Sequence, residues 1–281
     1  MRTIPELHYR SAHTVRGWFP GHHRSSRGDG GFEFRGHAPL ADAPDARRLD
    51  LHASLRDPFG RWLVRVASQR MAIPVAMVAD LSASMAFEGA VRKQDVLADF
   101  VQSLAWSAWR TGDSFGFVGC DGVVRSDLLL PQTRARGAGG LLAERLRSLV
   151  LDGRSARGLA DAHRHLPRRR ALLFLVSDFH LPLDDVAAVL ASLAEHEVVP
   201  VMLWQTEEFA LAAAHGLADV VDPESGERRW LWWRPALRER WRVALDERRT
   251  ALMQLFRSRR LAPLVIDGAF DADTVTRHFH A

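Results

Sequence analysis

The chain predicts an α/β fold in three layers, a mainly parallel sheet with helices on both faces. Three observations carry this. The runs 73–79, 171–176 and 198–204 are short, apolar and free of charge, as strands buried on both faces are. Segments between them place apolar residues at helical spacing. Strands and helices alternating at this length build βαβ units with right-handed crossovers, and so a parallel sheet.

Residues 1–70 are the least regular and read as an N-terminal extension with short strands, ahead of a main domain over 71–281. Within the extension, 22–32 is rich in Gly, Ser and Arg and predicts a loop, while 32–40 and 60–69 predict strands. After the strand at 73–79, Val96, Leu97, Phe100, Val101 and Leu104 give one apolar face to a helix over 92–110. Gly112-Asp113 ends it. A hairpin follows, 114–120 with 123–130, turning at Asp121-Gly122. Helices are then expected at 141–151 and, shorter, at 159–166. Beyond the strand at 171–176, a helix over 182–196 leads to the strand at 198–204. The last quarter predicts a helix at 206–216, a hairpin of 218–222 with 229–233 around Glu224-Ser225-Gly226-Glu227, a long arginine-rich helix over 235–259, and a final strand at 264–266. Trp230, Trp232 and Trp233 have the spacing of a strand covered on both faces, expected to pack under the long helix. His278-Phe279-His280 reads as a frayed end, because histidines one residue apart on a helix point in different directions.

Of 281 residues, 47% are hydrophobic and 26% charged, which suits a globular protein with a sizeable core. No apolar stretch approaches the roughly 18 residues that cross a bilayer, and the first residues lack a signal-peptide core. The expectation is a soluble, cytoplasmic protein. Cys120 is the only cysteine, so neither an intramolecular disulfide nor a cysteine-based zinc site can form, and it should pack beside its apolar neighbours. The net charge of +4 comes almost wholly from arginine, Lys93 being the sole lysine. Arginine suits nucleic acid, but here acidic residues are interspersed with it, the pattern of solvated helix faces. Arg134 with Arg136, Arg154 with Arg157, and Arg168 to Arg170 are the clustered exceptions, a basic rim suited to an acidic protein surface.

The chemistry concentrates at two strand ends. Asp80-Leu81-Ser82-Ala83-Ser84 follows the first buried strand and Ser177-Asp178-Phe179 follows the second. Ligands bind open α/β sheets at that carboxyl edge. Asp80, Ser82, Ser84 and Asp178 offer only oxygen, the set a hard cation such as Mg²⁺ prefers. Asp80 and Ser82 could equally cap the segment that follows.

These residues carry a resemblance. VADLSASM and LVSDF resemble the first and third loops of a von Willebrand factor A (VWA) domain with its metal-ion-dependent adhesion site. More narrowly, GWFPGHHRSSRGDGGFEF, then DARRLDLHAS, then the metal motif resemble the bacterial DUF58 family, which carries such a domain. The resemblance implies a Rossmann-like sheet, with Asp80, Ser82, Ser84 and Asp178 as ligands of Mg²⁺ or Mn²⁺. The second-loop hydroxyl falls to Ser155, in Gly153-Arg154-Ser155-Ala156 where the family usually reads GGTD. It also implies a protein partner whose Asp or Glu completes the octahedron, and a MoxR-type AAA+ ATPase as that partner, in chaperone-like maturation or assembly of a client complex. The family's GD-x-x-R-x-x-DW element has become 42–51 here, where Asp50 and Arg48 are expected to form a structural ion pair.

Two other functions compete with a noncatalytic, metal-dependent interaction domain. One is a phosphate-ester hydrolase with Asp80 as nucleophile, although Ser82 stands where a second Asp usually does and no lysine follows at a suitable strand end. His180 is its only contender for a general base. The other is a degenerate domain that binds partners without metal, motivated by the altered second loop.

Overall fold

The structure, a computed structural model, describes residues 4–11, 20–24, 33–68, 70–209, 216–221 and 227–280. One compact unit comprises Arg10–Ile73 with Thr111–Asp113. It holds two antiparallel pairs, β1 (Pro20–Arg24) with β4 (Arg70–Met71) and β2 (Glu33–Pro39) with β3 (Leu63–Ser68). β2 and β3 match the expected strands; the loop expected over 22–32 is strand as far as Arg24, and 25–32 lie outside the described residues. Asp50 caps α1 (Leu51–Leu55), its Oδ1 accepting from the Ala53 amide at 3.0 Å. Its Oδ2 takes Arg65 Nε at 2.9 Å and His37 Nε2 at 3.0 Å. The amide, His37 and Arg65 together hold this carboxyl far below its usual range. Arg48 pairs instead with Asp45 at 3.2 Å, which corrects the expected Arg48–Asp50 pair: as a cap, Asp50 spends its oxygens on α1, β2 and β3.

The other unit comprises Met1–Tyr9, Pro74–Arg110 and Ser114–Ala281. Its elements in order are β5 (Pro74–Asp80), α2 (Lys93–Thr111), β6 (Ser114–Cys120), β7 (Val124–Thr133), α3 (Ala138–Ser148), β8 (Leu172–Ser177), α4 (Leu183–Ser192) and β9 (Glu197–Leu203). There follow α5 (Thr206–Phe209), β10 (Gly216–Val221), β11 (Arg228–Trp233), α6 (Pro235–Ser258), β12 (Leu264–Ile266) and α7 (Ala272–His280). Six strands form one sheet in the order β12-β9-β8-β5-β6-β7, parallel except for β7. Side chains alternate across it. Ala76, Val78, Leu173 and Leu175 join a core with α4 and α6, while Phe174 meets Phe100 of α2 at 5.4 Å and Phe279 of α7 at 5.9 Å. Both faces are therefore covered, as the continuous apolar runs required. Cys120 is fully buried. Among the described residues no helix is long and apolar enough to cross a membrane.

Four expectations shift. α3 starts earlier than predicted because Gly139 packs closely instead of breaking the helix: a Cβ there would lie 2.3 Å from that of Ala105. Gly139→Val should therefore lower stability by about 2–3 kcal/mol in urea unfolding, an overpacking cost, while Gly137→Ala, in open space, should change it little. The helix expected at 159–166 is a 3₁₀ segment, Arg157–His165. Buried Leu159 and Ala162 stand three apart, which aligns them in a three-residue turn. β10 and β11 pair as predicted, but Trp230 and Trp232 are 62% and 60% exposed, and α6 buries only Leu252 and Phe256. Trp230 and Trp232 share the open face of a two-stranded ribbon, so these two do not pack under the helix; the Trp233 side chain lies outside the described residues. The C-terminus is not frayed either: α7 runs through His280, with Phe279 anchored on Phe174. Of the helix expected at 206–216, α5 realises the first turn; 210–215, and 222–226 of the hairpin turn, lie outside the described residues.

Candidate metal centre

β5 and β8 are adjacent and parallel, so their carboxyl ends deliver Asp80 and Asp178 to the same edge, both 1% exposed. Asp80 Oδ1 accepts the Ser82 amide at 2.9 Å and Oδ2 accepts the Ser177 hydroxyl at 2.7 Å. Ser82 and Ser84 hydroxyls lie 3.2 Å apart, and Ser84 favours the ionised form of Asp178. Asp80, Ser82, Ser84 and Asp178 are thus brought together. The second loop lies alongside, the Ala83 amide donating to Gly153 O at 2.8 Å. Ser155 on that loop is half-buried with its Oγ beside Gly122, and among the described residues it makes no hydrogen bond to the other four.

The turn after β8 is strained. Phe179 takes φ 55°, a left-handed conformation costly for a bulky residue. Three contacts hold it there. Its amide donates to Ser177 Oγ at 2.9 Å, its ring meets Phe256 at 5.3 Å, and Arg248 donates to its carbonyl at 2.8 Å and to that of Leu181. Trp204 Nε1 donates to Asp178 O at 2.5 Å. The Asp178 carboxylate is therefore aimed by packing on every side.

Lys93, first residue of α2, enters from the opposite flank. It is fully buried, its Nζ 3.1 Å from Asp178 Oδ2 and 2.8 Å from the Glu208 carboxylate on α5. His180 Nε2 stands 3.2 Å from Glu208 Oε1 and 3.9 Å from Asp178, its ring stacked on Trp204. Burial favours protonation of Asp178, but His180, Lys93 and Ser84 outweigh it and hold its pKa below the usual range. Burial likewise disfavours a charged His180, and Glu208 and Asp178 reverse that, raising its pKa. Asp80 has no such cation. Burial first, and the Asp178 charge second, push it up to about 7 against the Ser82 and Ser177 hydrogen bonds.

The donor set fits a hard divalent cation. Asp80, Asp178 and Glu208 confront one ammonium, so once Asp80 ionises above about pH 7, and with His180 neutral, the pocket carries an excess of two negative charges, all on oxygen. Asp178, His180 and Glu208 also bring ligand atoms within 4.8 Å of one another, a mixed set that would suit zinc. Lys93 already bridges the two carboxylates of that group. The oxygens of Asp80, Ser82 and Ser84 have no such cation beside them among the described residues. Sequence reasoning missed Lys93, Ser177, Trp204 and Glu208. Only Lys93 carried a signal, as the one lysine in an arginine-rich chain.

Fold and site together define an α/β domain with a buried carboxylate and hydroxyl cluster at the carboxyl edge of a parallel sheet. The chain belongs to the DUF58 family, whose model, described as a protein of unknown function, matches residues 42–251. A protein of Paracoccus denitrificans described as an uncharacterized protein in the moxR 3' region is 37% identical over 101 residues, 36% of this chain and 96% of that one. Among solved structures, the conserved hypothetical protein BatB of Bacteroides thetaiotaomicron is similar over 75% of this chain and 100% of its own, at 11% identity and TM-score 0.45. Proximal thread matrix protein 1 of the mussel byssus, solved with a zinc-occupied MIDAS motif, is similar over 48% of this chain and 38% of its own, at 17% identity and TM-score 0.34.

Proposed function

We propose that the chain is a noncatalytic, metal-dependent protein-interaction domain. Asp80, Ser82, Ser84 and Asp178 hold Mg²⁺ or Mn²⁺, Ser155 supplies a further hydroxyl from the second loop, and an acidic side chain of the partner takes an open position on the ion. The observation that carries this reading is a pair of buried carboxylates with one ammonium for Asp178 and none for Asp80. A divalent ion relieves that imbalance. A hydrolase would need a base free to take a proton from water, and His180 spends its Nε2 on Glu208. The description of the Paracoccus relative motivates the choice of partner, a MoxR-type AAA+ ATPase acting with this domain in maturation or assembly of a client complex.

The test is pulldown of such an ATPase with the full chain. Binding is expected in Mg²⁺ or Mn²⁺, to be lost in chelator and in Asp80→Ala. Equal capture with chelator would overturn the metal and leave the second reading, a domain that docks without an ion, which the Lys93 ammonium beside Asp178 favours.

A further inference from the structure

We propose that a groove beside α6 binds an extended segment of the protein partner that is acidic at both ends and apolar in the middle. This rests on the protein-interaction reading but not on its metal. The groove, about 540 Å³, lies between residues 235–249 of α6 and the carboxyl ends of β9 and β12 with the residues that follow them. That volume is within the usual range of specific binding clefts. Trp204, Trp241, Leu245 and Val265 give it apolar walls.

Its charges are spaced, not continuous. Arg242 in the middle is neutralised by Glu239 at 2.6 Å and Asp246 at 3.0 Å. Arg238 and Arg249 are exposed lining residues without an ion-pair partner among the described residues. They stand eleven positions apart on the helix, about 16 Å at 1.5 Å per residue, which is the span of about five residues of extended chain. Glu239, Asp246 and Asp267 between and opposite them repel a continuous polyanion, so two separated carboxylates fit where a nucleic acid or an anionic bilayer does not.

A second observation points to a peptide. Gln205, another wall of the groove, is 2% exposed and donates from Nε2 to Val91 O at 2.7 Å, which fixes its amide. Its Oε1 is left buried with no donor among the described residues. Buried acceptors ordinarily find a partner, and an incoming backbone N–H reaches this enclosed oxygen only by opening the wall on binding.

The probe is a fluorescein-labelled Glu-Ala-Leu-Phe-Ala-Glu peptide, followed by anisotropy with the full chain at low salt and with chelator present. Saturable binding is expected, weakened about five-fold or more by Arg238→Glu and by Arg249→Glu, each at an exposed position that leaves the fold intact. Trp241→Ala should weaken it similarly, Asp80→Ala should not, and a peptide with Lys for both Glu should not bind. The proposal is overturned if the Glu peptide fails to bind, if the Lys peptide binds equally, or if neither arginine variant matters. Sedimentation of the chain as a dimer that excludes the peptide would assign the groove to a second copy and overturn it too. Peptide binding with no metal effect on ATPase capture sinks only the ion; metal-dependent capture without peptide binding sinks only the groove.

Discussion

Lys93→Met is expected to destabilise the domain by about 3–5 kcal/mol, the usual cost of removing one partner from a buried ion network. Two carboxylates, Asp178 and Glu208, would face each other with His180 beside them and, Asp178 being 1% exposed, with weak solvent screening. At roughly 2–4 °C per kcal/mol for a chain of this size, the melting temperature should fall by about 10 °C. Lys93→Arg should not rescue it, because a planar fork does not fit where a compact ammonium is enclosed by two carboxylates and the Phe87 ring, 5.7 Å away. The second substitution Glu208→Gln should recover part of the loss, since it removes the charge that Lys93 had balanced. Thermal unfolding of the four proteins in the Lys93 and Glu208 cycle reads the coupling directly. A Lys93→Met protein as stable as wild type, or a cycle with no coupling, would show that the ammonium is solvated and that Asp178 is aimed without it.

What the sequence made legible is what local pattern encodes. The strands leading to Asp80 and Asp178 announced themselves as charge-free runs followed by oxygen-bearing residues; that the two are neighbours is shown by the structure. Glu208 could not be found this way. It lies 115 residues from Lys93 and 28 from His180, on a one-turn helix with no apolar period of its own. Ser177 looked like the last residue of a buried strand, yet its hydroxyl is the joint of the site, donating to Asp80 and accepting from the strained Phe179 amide. The tryptophans of β11 misled for a physical reason. Alternation fixes which residues share a face, but not whether anything covers it, and the ribbon of β10 and β11 leaves that face open.

Asp80→Asn is expected to stabilise the metal-free protein above neutral pH while destabilising it in acid, a crossing that few structural roles would produce. In the folded state Asp80 titrates at about 7, against a reference value of 3.8. The folded protein therefore binds this proton more tightly than the unfolded chain. Stability from the group is fully present below about pH 4 and is lost as the pH rises through 7, by roughly 4 kcal/mol as an upper figure. Asparagine carries no charge to bury, so the contribution of this position to stability should be flat over that window. It pays elsewhere: its Nδ2 is a donor, and either the Ser82 amide or the Ser177 hydroxyl loses its acceptor, at about 1–3 kcal/mol. Near pH 5, where wild-type Asp80 is largely neutral, that loss leaves the variant the weaker protein; near pH 8 the relieved charge makes it the stronger by about 1–3 kcal/mol. Urea unfolding in chelator at both pH values checks the crossing. Adding Mg²⁺ near pH 8 should then stabilise wild type, by about 2.7 kcal/mol at a hundred times Kd, and leave Asp80→Asn nearly unmoved. Parallel pH profiles for the two proteins would mean that Asp80 ionises in the fold at no cost, and the charge imbalance on which the ion depends would be absent.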